Sequence, residues 1–352
     1  MRALQYYGKE DVRLEEIEEP QVQPGTVKIA PAYTGICGSD LSLFFGGPLP
    51  PMPSDSQAHP LSGETLPITF GHEFSGVVEE VGEEVEGIAP GDRVVVEPLM
   101  VCGECNACRT DQYNLCEKMG FIGISGRGGG LAEHIVVEKR WVHPVGELPL
   151  DQAALIEPLS VAVHAVRRAK AQPDQVAVVG GAGPIGLLTA AVLKAQGNTV
   201  IISEVSDARK KIAQETGVAD IVLDPTTDDL VARVREETDG RGADIAFDCA
   251  GVQAVFDTLL QCLGAGGHLE IVAVYSKPVQ FDIAGGITMQ ERTIGSSIGY
   301  AHNHPEAIEL ANGKIDLSKF ISSTIKVEDI VEDGYRRLRE RGETEVKILV
   351  EM

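Results

Sequence analysis

The sequence predicts an α/β protein in two parts: a β-rich first half to about Leu150 and, after Pro158, a doubly wound parallel sheet. Three observations carry this. Short β-branched runs broken by Gly and Pro fill the first half. Strand and helix patterns alternate in the second. A glycine-rich turn, "VAVVGGAGPIG", joins the first strand of that second part to its helix. A length of 352 residues suits two domains of ordinary size, and 43% hydrophobic residues supplies a core for each.

Taken in order, "MRALQYYGKEDVRLEE" reads as a strand, followed by strand runs in "TVKIAPAYTGICG", "EFSGVVEEVG" and "GDRVVVEPL". Pro48 to Leu66 is a long proline-rich excursion, a length of loop that is usually functional or mobile. "LSVAVHAVRRA" has helical spacing. Strands such as "TVIISE" and "DIAFDCAG" then alternate with helices such as "DARKKIAQETG" and "QAVFDTLLQCL". From about Ile294 the pattern is mixed, and the closing "EVKILVEM" reads as a strand that rejoins the first domain. Val176 to Leu193 carries no charge, but its four glycines and one proline fit a strand, a turn and a helix rather than a membrane span.

The net charge is −23 and the pI about 4.7, which argues against nucleic acid and against an anionic membrane as partners. Of seven cysteines, four are bunched in one segment, a poor disulfide framework and a good metal-binding one. The N-terminal stretch has no apolar secretory region, so a cytoplasmic location is expected.

Gly181, Gly183 and Gly186, with Pro184 and Ile185 between the last two, form G-x-G-x-x-G after a strand and at the start of a helix. The first glycine permits the tight turn, the second admits a pyrophosphate against the backbone, and the third lets helix and strand pack closely. The helix N-terminus attracts the phosphates. The next strand ends in Glu204, an acid placed to accept hydrogen bonds from the adenosine ribose and to repel a 2′-phosphate. NAD is therefore the expected cofactor, with nearby Arg209 as the one feature suited to NADP.

Cys102, Cys105, Cys108 and Cys116 suit a closed tetrahedral zinc site, with an iron-sulfur cluster as the competing reading. Cys37 lies in "GICGSD", His72 and Glu73 in "GHEFSG", and Glu157 in "ALIEPLSVAVHA". Thiolate, imidazole and carboxylate together suit a zinc with a position left open. Spacing does not show that these four residues meet.

The combination, in this order, resembles the medium-chain zinc-dependent alcohol and polyol dehydrogenases over essentially the whole chain. "GICGSD", "GHEFSGVVEEVG", "GDRVVVEP", the cysteine segment and "GAGPIG" carry the resemblance. "HPLSGETLPITFGHEFSG", "NLCEKMGFIGISGRGGGLAEH" and "EPLSVAVHAVRRA" look most like the (R,R)-2,3-butanediol dehydrogenase branch, with sorbitol and threonine dehydrogenases as near relatives. The resemblance implies a GroES-like catalytic domain from residues 1–157 and 295–352, with a structural-zinc lobe at about 98–118. Around residues 158–294 it implies a Rossmann NAD-binding domain, a cleft between the two, and a homodimer or homotetramer.

It further implies two zinc ions and a small alcohol or ketone substrate, interconverted with NAD(H). Cys37 and His72 match ligands of the catalytic zinc; Glu73, ranked first, and Glu157 match acids that ligate it or hold its water. The four clustered cysteines match the structural site. Ser39 matches the hydroxyl that passes the substrate proton outward, and Asp40 supports its loop. Ser42 stands where the family often has a histidine that ends the proton relay. A protein of another class, a NAD(H)-binding sensor without chemistry, is the rival reading; it would need no open metal site.

Overall fold

The computed structural model describes residues 1–48 and 52–352. The chain divides into two compact units, Met1–Glu157 with Asp316–Met352, and Pro158–Ile315.

The first unit is built mainly on antiparallel strands, with Ile321–Lys326 and Lys347–Glu351 as a parallel pair. Its largest sheet runs, in spatial order, Val142–Pro144, Arg93–Val96, Glu73–Val81, Thr26–Gly35, Lys347–Glu351 and Ile321–Lys326, with Ile135–Glu138 also paired to Thr26–Gly35. The C-terminal strand thus lies beside Thr26–Gly35, with Leu349 opposite Gly35. The first sixteen residues, expected as a strand, form two: Arg2–Gly8 and Asp11–Glu16 pair antiparallel. The reversal falls at Lys9 and Glu10, where Glu10 takes a left-handed φ of 55°. Tyr6, Phe44, Phe70, Tyr335 and Ile348 are among the side chains of the core beneath these sheets. Part of the proline-rich excursion, residues 49–51, lies outside the described residues; from Met52 to Leu66 the chain has no helix or strand.

The second unit is a six-stranded parallel sheet in the order Ile221–Leu223, Thr199–Ser203, Val176–Gly180, Ala243–Asp248, Leu263–Ile271, Thr293–Ser296. Numbered along the chain this is 3-2-1-4-5-6, the dinucleotide-binding order, whose switch point falls between the first and fourth strands. Helix Pro184–Ala195 buries every residue from Gly186 to Leu193. Helices Leu230–Glu237 and Gln253–Cys262 send Val234, Phe256 and Leu259 into a core with Val178, Ile201 and Ala246. A strand buried throughout, such as Val176–Gly180, reads as a continuous apolar run because the sheet is covered on both faces.

The expected boundary at residue 295 is corrected. The edge strand Thr293–Ser296 pairs with Leu263–Ile271, so it belongs to the parallel sheet. Helix His304–Gly313 follows within the same unit, and the chain returns to the first unit only at Asp316. No helix among the described residues is long and apolar enough to cross a membrane.

Candidate metal and cofactor sites

Strand Thr26–Gly35 delivers Cys37 to the first site. The helix Gly38–Gly46 starts immediately after it, with Cys37 as its N-cap. Asp40 closes this turn by accepting the Cys37 amide on Oδ2 at 2.8 Å. Strand Glu73–Val81 runs antiparallel beside Thr26–Gly35 and places Glu73 opposite Gly35, with His72 just before it. The ligand atoms of Cys37, His72 and Glu73 all fall within 4.8 Å of one another. Glu157, at the start of helix Ile156–Arg168, is buried but outside this group.

His72 is 3% exposed, so what touches its nitrogens decides its role. Nδ1 lies 3.4 Å from Asp40 Oδ1, the carboxylate–histidine pairing that orients metal-ligating imidazoles. Nε2 faces the group, with Ser39 Oγ 3.4 Å away. Burial pulls the imidazole pKa down, but the Asp40 and Cys37 charges and hydrogen bonds outweigh it and raise it well above its usual value. This is an anionic pocket that attracts a cation. A soft thiolate, an imidazole and a carboxylate form a donor set that fits zinc with one position open. Ser42, whose place in the relay was the departure from the family pattern, donates its hydroxyl to Gly38 O at 3.0 Å and is engaged within its own helix.

Two residues of this site were not singled out from sequence. Lys347, at the start of the C-terminal strand, is 4% exposed and donates to Glu73 Oε2 at 2.5 Å and to Ile36 O at 3.0 Å. Gly35 lies between them: a Cβ there would collide with Glu73 Oε2 and stand 3.1 Å from Lys347 Cδ. A lysine in a short apolar strand, "VKILV", is the one sequence signal for the first. Nothing in the sequence flags the second.

The second candidate metal site gathers Cys102, Cys105, Cys108 and Cys116, whose sulfurs also fall within 4.8 Å of one another. A tetrahedron with Zn–S of about 2.3 Å sets its sulfurs about 3.8 Å apart; Cys102 and Cys108 Sγ are 3.9 Å apart. That spacing suits one ion rather than a multi-iron cluster, whose thiolates bind separate irons. Backbone amides already point at the sulfurs: Cys102 N to Cys116 Sγ and Cys105 N to Cys102 Sγ, both 3.3 Å. Amides of Cys108 and Glu117 hold the Cys105 thiol down at about 6. The segment is closed at its base by the ribbon Leu99–Met100 with Gly120–Phe121.

The cofactor site lies in the second unit. Gly181 takes φ 97°, a conformation that strongly favours glycine. Gly183 caps helix Pro184–Ala195, with Pro184 in its first turn, followed by Ile185. A Cβ on Gly186 would strike the Gly181 carbonyl. A cavity of about 450 Å³ opens at the switch point, lined by Gly181, Gly183, Glu204, Arg209, Cys249 and Ala250, among others. Glu204 accepts Ala182 N at 2.7 Å and Ser206 N at 2.9 Å, so it braces the glycine turn while facing the cavity. Asp248 secures the other wall, accepting the amides of Ala250 and Gly251, each at 2.9 Å, and the Tyr275 hydroxyl.

Known proteins resemble the chain over its whole length. Residues 23–147 match the alcohol dehydrogenase GroES-like domain and residues 184–313 the zinc-binding dehydrogenase domain. The chain is 48% identical, over 99% of both chains, to (R,R)-butanediol dehydrogenase of Neisseria gonorrhoeae. It is 42% identical, again over 99% of both, to (R,R)-butanediol dehydrogenase of Bacillus subtilis. The crystal structure of 2R,3R-butanediol dehydrogenase from Bacillus subtilis superposes with a TM-score of 0.92 at 40% identity, covering 100% of this chain and 99% of that one.

Proposed function

The chain belongs to the zinc-binding alcohol dehydrogenase family, and from that premise we propose that it interconverts 2,3-butanediol and acetoin with NAD(H). The observation that carries the reading is the convergence of Cys37, His72 and Glu73 within 4.8 Å, with the Ser39 hydroxyl beside His72. The relatives' names supply the substrate.

In this reading Cys37, His72 and Glu73 hold a catalytic zinc, and the four-cysteine lobe holds a structural one. Bound there, zinc supplies Lewis acidity toward the substrate oxygen, and NAD supplies the hydride acceptor. The chain's residues do the rest. Asp40 faces the His72 ring at Nδ1, 3.4 Å away, and holds the Cys37 turn through its amide. Ser39 would accept the proton that the alcohol hydroxyl loses on oxidation. Ser42, bonded to Gly38 O within its own helix, is engaged elsewhere, so Ser39 would pass that proton to water. Gly181, Gly183 and Gly186 admit the pyrophosphate. The edge strand Thr293–Ser296 and the exposed Ile283 and Met289 before it are the surface assigned to a second copy.

The deciding experiment is oxidation of NADH by acetoin, with and without a strong zinc chelator. Fast, chelator-sensitive oxidation yielding (R,R)-diol is expected. Turnover of sorbitol or threonine in its place would move the substrate to a sister branch. NADH binding with no turnover of any alcohol or ketone would make the chain a sensor.

Glu204→Ala is expected to weaken NAD by about tenfold or more and to narrow its preference over NADP, since one carboxylate leaves the ribose and the glycine turn together. An unchanged ratio of kcat/KM for the two cofactors would remove Glu204 from cofactor choice.

A further inference from the structure

We infer that Lys347 is a built-in counter-charge that competes with the metal for Glu73 and weakens the ion's hold on its site. The inference rests on the reading of Cys37, His72 and Glu73 as a metal site.

The geometry begins with register. Glu73 and Leu349 both lie opposite Gly35, on the two sides of one strand. Lys347 stands two residues before Leu349, so its side chain leaves the sheet on the same face, one diagonal step away. Gly35 has no side chain to fill the space between, and the two charged groups meet across it. The ammonium gives Glu73 Oε2 a hydrogen bond at 2.5 Å, and both side chains are almost wholly removed from water. A second bond, to Ile36 O at 3.0 Å, fixes the ammonium beside the residue that precedes Cys37. The ammonium therefore sits, on two hydrogen bonds, at the edge of the group formed by Cys37, His72 and Glu73.

Two consequences follow. The carboxylate oxygen that Lys347 holds is unavailable as a donor while the pair lasts, so Glu73 offers at most its other oxygen. The fixed charge also repels any cation among Cys37, His72 and Glu73, at a separation too short and too dry for salt to screen. Lys347 thus keeps the buried acids neutralised at the cost of metal affinity. This differs from a merely structural role in sign. Damage to a site weakens metal binding, whereas removal of a competing charge strengthens it.

The test uses Lys347→Met, which keeps length and removes charge, with Lys347→Arg as the charge-preserving control. Zinc affinity of the second equivalent per chain is read by competition with a chromophoric chelator. The four-cysteine lobe accounts for the first, and Cys37→Ala identifies the second by losing it. Lys347→Met is expected to bind that zinc about tenfold tighter or more, and Lys347→Arg to stay near wild type. In a Glu73→Gln background the gain should shrink to the part that comes from relieved charge repulsion, because the competed ligand is gone. Co2+ in the second site should show weaker d–d absorption in Lys347→Met, as Glu73 adds a donor. Unchanged or weaker zinc binding with an unchanged cobalt spectrum would overturn the inference. If wild type holds no second zinc that Cys37→Ala removes, the metal site itself is wrong and the inference falls with it.

Discussion

Cys37→Ala is expected to lower kcat/KM by about a thousandfold or more, because the lost Lewis-acid stabilisation is worth several kcal/mol and each 1.4 kcal/mol is about tenfold. The thiolate is the donor that no neighbour replaces: Glu73 is held by Lys347, and Glu157 lies outside the cluster. The fold should survive. Cys37 is only half-buried, and the helix that follows is capped through the Cys37 backbone amide, which alanine keeps. The melting temperature should therefore change little, while bound zinc falls from about two ions per chain to about one. Full turnover in this variant, or loss of both ions together, would count against the assignment of Cys37.

The four-cysteine segment and the glycine turn were legible because their chemistry needs particular residue types at short range, whereas Cys37 and His72–Glu73 lie far apart in sequence and were joined only through the family resemblance. Four cysteines within fifteen positions can bridge one ion without help from the rest of the chain. Gly181 announces itself because its left-handed backbone is local. What sequence left dark depends on strands far apart in the chain. Lys347 meets Glu73 across 274 residues, and only the C-terminal strand's register beside Thr26–Gly35 brings them together. Gly35 looks like any strand glycine until the carboxylate that occupies its missing Cβ is seen. The misplaced boundary at 295 has the same origin. "TIGSSIG" is too short and too mixed to declare which sheet it joins, and pairing with Leu263–Ile271 decides it. Asp40 was expected only to support its loop; the structure adds that it touches both Cys37 and His72, so it links the two candidate ligands.

Cys105→Ser is expected to unfold one lobe and spare the second unit. The segment between Cys102 and Cys116 has almost no core of its own. Helix Asn106–Arg109 is a single turn with no buried residue, Arg109 to Gln112 are exposed, and Leu115 is 50% exposed. Tyr113 ties it to the rest of its unit by an edge contact with Trp141 at 5.7 Å and a hydroxyl bond to Glu97 at 2.7 Å. One such bond contributes about 1–3 kcal/mol, whereas a structural zinc contributes about 10–16 kcal/mol to small folds that depend on it. A zinc held by the four cysteines would thus be what orders the lobe, and a serine hydroxyl, far less acidic than a thiol, would not replace the sulfur. Limited proteolysis should cut between residues 103 and 115 about tenfold faster or more in Cys105→Ser, with one zinc lost. NADH binding should be unchanged, because the glycine turn, Glu204 and Asp248 belong to the other unit. A variant that lost its zinc yet resisted protease as well as wild type would show that the ribbon Leu99–Met100 with Gly120–Phe121 orders the lobe without the metal.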